Sequence, residues 1–470
     1  MVFSSTVFIF CFLPLVLLVS FVLSRKAQNV WLLIASLLFY AWGGVSYSII
    51  LLGSLITNYV FGLLLDKYPN NQERVLVIGV GLNLVILAVF KYSDFFLENI
   101  NQTIGTEIPL PNIKLPTGIS FFTFQAISYL VDVYRKETKV QKSIVDLSLY
   151  ISLFPQLIAG PIVRYHDIAF QLKNRVRSLE KFISGIERFI IGLSKKVLLA
   201  NTFALVADDV FAGSEASITP TMALVGALAY SLQIYFDFAG YSDMAIGLGR
   251  MFGFEFKENF NFPYLAKSIQ EFWRRWHISL STWFRDYLYI PLGGNRASKR
   301  RVYVNLFIVF LCTGFWHGAS WNFIIWGLFH GLFLVIERVG FNKVLGRLPS
   351  AMSRLYTLLI VVVGWIFFRA ENLGNALEMT GKFFTAFTEF HLAEAASLMT
   401  KDVILASVFA SFAFVGSTEK IYSKLEEGKL GIFQSSLFTS AKYTTLVLAL
   451  FLCMAFLSAD TYNPFIYFRF

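Results

Sequence analysis

Long uncharged runs set the first limit on this chain. Twelve stretches approach the roughly twenty apolar residues that a helix needs to cross a bilayer. They lie at about 3–24, 29–46, 48–65, 75–92, 116–134, 189–208, 221–240, 302–316, 320–338, 354–369, 402–417 and 441–458. In lipid a backbone must satisfy its own polar groups, and a series of long apolar runs does so only as helices. The fold class that follows is an all-α multi-span integral membrane protein, a single domain over 1–470 with about 11–12 spans. Charged residues are 15% of the chain and hydrophobic ones 56%, against roughly 25% charged in a soluble domain. A soluble enzyme, a disordered chain and a secreted disulfide scaffold are thereby excluded. The first run, Val7 to Leu23, has no basic residue before it and no small-residue cleavage pattern after it. It reads as the first span and not as a removable signal.

The net charge is +10, from 40 Lys and Arg against 30 Asp and Glu. Basic residues orient spans toward the cytoplasm. With the Arg25–Lys26 turn inside, both termini fall outside, and so do Lys91, Lys114, Arg369, Lys382, Lys401 and Arg469, six of the 40 basic residues. The basic excess is then a topology signal, and nucleic acid is not an expected partner. Cys11, Cys312 and Cys453 are odd in number, each within an apolar run and without metal-ligand spacing. Neither disulfides nor a metal site is expected.

Two regions depart from simple spans. Ile151 to Val163 is apolar but short, and Pro155, Gly160 and Pro161 punctuate it. Irregular backbone at membrane depth needs cover from protein or water, so this reads as a re-entrant segment lining a cavity. Between 262 and 291, Phe272, Trp273, Trp276, Trp283, Tyr287 and Tyr289 interleave with Arg274, Arg275 and Arg285. That pattern predicts amphipathic helices in the cytoplasmic headgroup layer, or an aromatic belt around ordinary spans.

Chemistry concentrates in Thr313-Gly-Phe-Trp-His317-Gly. The runs on either side end at Arg301 and Arg338, both basic, so 302–338 is a hairpin rising from the cytoplasm with His317 at its tip. Val302 to Trp316 spans about 22 Å of helix, short of the bilayer's hydrocarbon thickness. An ionisable ring at that depth is costly and reads first as functional. A neutral imidazole there can take a proton from an attacking hydroxyl; the alternative is an interhelical hydrogen bond. His277 is the best candidate partner, and by itself also reads as an interfacial polar residue. His330 reads as a satisfied interhelical polar group, while His166 and His391 fall in loops. Gln233, Asp237, Ser242 and Asp243 cluster near the end of one span, as caps or as the lining of a funnel. Gly247, Gly249 and Gly253 read as helix packing through small residues. The tail over 459–470 carries Phe465, Tyr467, Phe468 and Phe470. It is too apolar to leave in water, so it folds back into an outward cleft or anchors at the interface.

Taken together these stretches resemble the membrane-bound O-acyltransferase family, in its bacterial alginate O-acetyltransferase-like branch. The likeness is carried by Met1-Val-Phe-Ser-Ser, Phe39-Tyr40-Ala41-Trp42, Phe154-Pro-Gln-Leu-Ile-Ala-Gly-Pro161, Glu271-Phe-Trp-Arg-Arg-Trp-His277 through Gly294, and Thr313-Gly-Phe-Trp-His317-Gly. The resemblance implies a ring of tilted helices around a thinned centre. His317 matches the family's invariant histidine, and His277 its second signature position. It further implies a bacterial inner-membrane enzyme that passes an acyl group from a cytoplasmic thioester to an extracytoplasmic polysaccharide, together with an exported esterase-like partner. The donor is expected to be acetyl-CoA or a carrier-protein thioester, with no bound cofactor, and the surroundings are membrane lipid. Arg296, Lys299, Arg300 and Arg301 are candidates for holding donor phosphates or an acidic carrier, or serve only to set topology. The tail is similar to the terminal motif of a small partner protein in teichoic acid D-alanylation, which implies an acyl relay for Tyr467. Peptidoglycan O-acetylation and teichoic acid D-alanylation by the same machinery stay open. So do a polymer-precursor transporter, though no inverted repeat is visible, and a scaffold for a synthesis complex.

Overall fold

The computed structural model describes residues 1–213, 217–415, 432–459, 463, 465 and 466. No strand occurs among them. Tyr467, most of the 459–470 tail and the basic stretch 420–429 lie outside the described residues.

The first third of the chain forms α1 (Leu13–Val22), α2 (Arg25–Ala41), α3 (Val45–Lys67), α4 (Gln72–Ile104), α5 (Ile119–Tyr134) and α6 (Ile144–Ser152). The middle holds α7 (Phe154–Leu157), α8 (Tyr165–Asn174), α9 (Leu179–Ser194), α10 (Asn201–Ala212) and α11 (Pro220–Met251). Then follow α12 (Ile269–Arg275), α13 (Ile278–Phe284), α14 (Lys299–His317), α15 (Trp321–Ile336), α16 (Asn342–Leu345), α17 (Ser350–Arg369), α18 (Leu373–Thr385), α19 (Leu392–Leu398) and α20 (Lys401–Val415). The last described helix is Ile432–Ala459. Each of the twelve apolar runs overlaps helix among the described residues. Seven helices among the described residues are both long and apolar enough to cross a membrane. The other runs fall short for local reasons: α5 is only 16 residues long, and α14 opens on Lys299, Arg300 and Arg301.

Side-chain caps fix where several helices start. Ser178, Thr219 and Ser268 each accept an N–H three residues on, and Pro220 supplies the fixed φ favoured at a first helical position. Helix α11 is buried along most of its length, polar residues included. Its closest neighbour is α9, and the two approach along a glycine seam. A Cβ on Gly185 would lie 2.7 Å from the Gly247 carbonyl oxygen, and one on Gly240 would lie 2.7 Å from that of Gly192. This is the small-residue packing expected of Gly247. Between α9 and α10 the helix widens into one π turn, Lys195–Ala200. There Lys195 and Lys196, adjacent in sequence, both reach α11: Lys195 pairs with Asp243 at 2.6 Å and Lys196 with Asp237 at 2.6 Å.

The punctuated segment 151–163 is fully buried. Side chains from elsewhere satisfy its backbone: Ser36 Oγ accepts from the Phe154 N–H (3.1 Å), Ser279 Oγ accepts from the Ile162 N–H (3.0 Å), and the Tyr150 hydroxyl donates to the Val163 carbonyl (2.9 Å). The 262–291 stretch differs from its headgroup-layer expectation. Phe272, Trp273, Trp276 and Trp283 are buried against protein, while Arg274 and Arg285 stay exposed. Trp283 stacks on Phe124 (3.7 Å between ring centroids) and donates its indole N–H to the Phe124 carbonyl. An aromatic pattern does not distinguish lipid from protein as its apolar surroundings, and here protein provides them.

Candidate functional site

The hairpin of α14 and α15 is drawn tight by Gly314 and Gly327. A Cβ on either would collide with a carbonyl of the opposite helix, Phe323 or Phe310. Close backbone approach sets the register, and His317 falls on the last residue of α14. Its ring is boxed by Trp316 (4.9 Å), Trp326 (5.0 Å) and Phe368 of α17 (5.0 Å). Rings on three sides leave the imidazole little rotamer freedom, and the residue is only 5% exposed.

His277 joins this box from the link between α12 and α13. It adopts φ +44°, a left-handed conformation that costs a residue with a Cβ. Asn259 holds the turn. Its backbone carbonyl accepts from the Ile278 N–H (2.9 Å), and its side-chain Oδ1 accepts from the Ser279 N–H (3.0 Å) and hydroxyl (2.8 Å) and lies 3.2 Å from His277 Nδ1. So placed, the His277 ring packs edge-on to Phe238 of α11 (4.6 Å) and meets Trp316 at 6.1 Å. The two histidines thus share the Trp316 indole. The sequence pairing of His277 with His317 corresponds to one cluster of rings around Trp316, while the reading of His277 as an interfacial residue does not match its exposure of 1%.

Lys91 was expected outside the membrane. Instead α4 continues to Ile104, and the Lys91 ammonium donates to the carbonyls of Trp316 (2.5 Å) and His317 (3.2 Å) and to Ser120 Oγ (3.3 Å). The Tyr92 hydroxyl donates to the Phe315 carbonyl (2.7 Å). Two neighbouring α4 residues therefore satisfy the terminal carbonyls of α14, which have no partner within their own helix. A cation at a helix C-terminus also complements the helix dipole. Lys91→Met is expected to lower turnover at this site about tenfold to a hundredfold, the range for losing hydrogen bonds to a charged group. Lys91→Arg should recover much of it. Initial rates per folded protein measure the difference.

The remaining sequence candidates sort by position. His330 is fully buried against Trp273 (5.2 Å) and Trp326 (5.1 Å), held by rings and without a hydrogen-bond partner among the described residues. That differs from the satisfied polar group expected of it. Arg296, Lys299, Arg300 and Arg301 are exposed, the last three in the first turn of α14. The tail returns to the bundle: Phe465 and Ile466 are buried beside α11. A groove of about 790 Å³ on another surface is lined by Lys136, Lys139, Lys142 and Lys173.

His166, Asp132 and Glu137 bring their ligand atoms within 4.8 Å of one another. Asp132 already accepts from the His166 ring Nδ1 (2.9 Å) and backbone N–H (3.2 Å) and from the Tyr287 hydroxyl (2.6 Å), so the cluster reads as an ion pair. The hydrogen bond to Asp132 raises the His166 pKa above its ordinary value. The stabilisation it brings is fully present below about pH 6.5, the unfolded value, and is lost as pH rises through the raised folded value. His166→Asn should flatten that decline, measured as thermal unfolding midpoints in detergent across the range.

Comparison with known proteins adds the context. The sequence pattern of the membrane-bound O-acyltransferase family matches residues 135–369. The chain is 42% identical to a Pseudomonas putida protein named probable alginate O-acetylase, over all of both chains. It is 37% identical to the peptidoglycan O-acetyltransferase of Helicobacter pylori, over all of this chain and 98% of that one. Against the teichoic acid D-alanyltransferase of Bacillus subtilis the identity is 31%, over 55% of this chain and 68% of the relative.

Proposed function

The chain belongs to the membrane-bound O-acyltransferase family, and from that premise we propose that it passes an acetyl group from a cytoplasmic thioester to hydroxyls of an extracytoplasmic, alginate-like polysaccharide. One observation carries the reading: His317 ends α14 inside an aromatic box, with His277 across the shared Trp316 ring. A histidine so enclosed serves as general base to a hydroxyl or phenol that reaches it. Full-length identity to proteins named for alginate O-acetylation supports that acceptor class. The peptidoglycan acetyltransferase, also matched over the whole chain, keeps a second acceptor in play.

In the proposed route the acyl carbon leaves the thioester sulfur for the Tyr467 phenol oxygen. The phenol proton passes to His317, which hands it on to the departing thiolate to give the free thiol. A second exchange moves the acyl group from the phenol oxygen to a sugar hydroxyl, whose proton returns to the phenol. A phenol is a suitable carrier, because its pKa near 10 makes it a better nucleophile-precursor and a better leaving group than an alkyl alcohol. Lys136, Lys139, Lys142 and Lys173 around their groove, or Arg296 to Arg301, supply positive charge for the phosphates of acetyl-CoA or an acidic carrier. With the basic stretches inside, the protein sits in a bacterial inner membrane with both ends outward, next to an exported esterase-like partner that hands the acyl group on.

The test is to delete the protein and measure ester-linked acetate and total exported polymer separately. Loss of acetate with polymer still exported is the expected result. Loss of export with esters intact on the remaining polymer overturns it.

A further inference from the structure

The ion pair of Lys196 and Asp237 is the most deeply buried one among the described residues, with side chains 3% and 1% exposed. Removing two charges from water costs more than their attraction returns unless further hydrogen bonds complete the geometry. Here the Lys196 ammonium pairs with the carboxylate oxygen Oδ1. The other, Oδ2, accepts the backbone N–H of Ile466 at 2.9 Å. The partner of this buried carboxylate thus comes from the C-terminal segment, 229 residues away in sequence.

The contacts on either side have the form of a receptor. Phe465 lies against Tyr241, with ring centroids 4.8 Å apart, and under the Lys196 ammonium at 5.9 Å. The Asn463 side-chain N–H group donates to the Ser4 carbonyl (2.9 Å) and hydroxyl (2.8 Å), and its oxygen accepts from Asn201 (3.3 Å). Val2, Phe3, Ser4, Lys196, Tyr241 and Met244 line the small cavity beside Asn463 and Phe465. Side chains of the segment supply the apolar contact, while Asp237 reads its main chain. A main-chain hydrogen bond fixes register whatever the neighbouring side chains are. The next residue of α11 after Asp237 is Phe238, whose ring touches His277. One helical position therefore separates the group that holds the tail from the group that touches His277.

We propose that the cleft between the N-terminal residues, the π turn and α11 is an intramembrane receptor for the chain's own C-terminal segment, with Asp237 as the positioning residue that sets its register toward the histidines. The purpose of the receptor rests on the relay reading of Tyr467 given above; its existence does not. The π turn aims Lys196 at Asp237.

The test uses full-length protein in membrane vesicles, with Ile466→Cys as a reporter in a background lacking the three native cysteines. In the parent the reporter is buried and reacts slowly with a membrane-impermeant maleimide. The paired change Lys196→Met with Asp237→Leu removes both charges and the acceptor of the Ile466 N–H together, which spares the fold the cost of one uncompensated charge. It is expected to speed labelling about tenfold or more, and to lower the maximal rate of acetyl transfer without raising the KM for the thioester. Asp237→Glu keeps the carboxylate and should restore part of the protection. Tyr467→Phe should leave the reporter protected. Labelling as slow as in the parent overturns the receptor, whatever the activity. Fast labelling with full acetylation leaves the receptor standing and overturns the positioning role together with the relay on which it rests.

Discussion

Replacing His317 with alanine is expected to remove ester-linked acetate from the exported polymer while the amount of polymer stays the same. A positioned general base contributes about 10² to 10⁴ in rate, and no second histidine is placed to substitute for it. The His277 Nδ1 faces Asn259, and its backbone is held in a left-handed turn. His330 is packed between Trp273 and Trp326, away from the tip of the hairpin. Alanine would also open a void in the box of Trp316, Trp326 and Phe368, at a cost of about 3 kcal/mol or more for a ring-sized deletion. His317→Gln fills most of that space and cannot act as a base at neutral pH. If chemistry is lost and not merely packing, both variants lose acetate to the same extent, while only alanine lowers the thermal midpoint. Acetylation by the glutamine variant at more than about a tenth of the parental rate would be incompatible with a role as base.

The second large effect concerns Tyr467. Tyr467→Phe removes one oxygen and nothing else, so the apolar character of the tail is kept. The proposed route has no acyl-carrying atom without that oxygen, and polymer acetylation should fall below about one hundredth of the parental value. The Asp237 bond to the Ile466 main chain and the packing of Phe465 on Tyr241 do not involve the lost hydroxyl, so the tail should stay docked. Mass spectrometry of the C-terminal peptide gives an independent reading. With donor present and acceptor absent, an acetyl ester on the peptide is expected in the parent and missing in the variant. Normal polymer acetylation by Tyr467→Phe rules out the relay.

Much of the site was legible in the sequence, because an ionisable ring in an apolar run stands out against its surroundings. His317 stood out in that way, His277 entered as its candidate partner and through the family's second signature position, and the punctuated 151–163 segment announced irregular backbone that needed cover. Other parts were hidden by the limits of a one-dimensional pattern. Lys91 follows an apolar run and precedes Asp94 and Glu98, so hydropathy ends the span there, although α4 goes on to Ile104. Its role depends on where the end of α14 lies in space, which is not local information. Asn259 looks like any polar loop residue until the left-handed turn at His277 shows what it holds. The aromatic residues of α12 and α13 were conspicuous as apolar, but their surroundings were misjudged: Trp276 faces Trp365 at 4.8 Å, where a headgroup layer was expected. The return of the tail was foreseen from its apolarity. Its partner on α11 was not, because a carboxylate in a buried helix gives no sign of which distant main chain it will bind.

The bond between Asp237 and the Ile466 main chain also has a consequence for the order of events during synthesis. Chains emerge from the ribosome at about 5–20 residues per second and fold from the N-terminal end. Asp237 and Lys196 therefore enter the bilayer, and pair, well before residue 466 exists. Ser4 likewise waits for Asn463 across a separation of 459 residues. For that interval the carboxylate has one oxygen without its final ligand, in a cleft open to other groups. On the relay proposed for Tyr467, the docking of Phe465 and Ile466 against α11 is thus a late step of assembly, taken after α9 and α11 have packed.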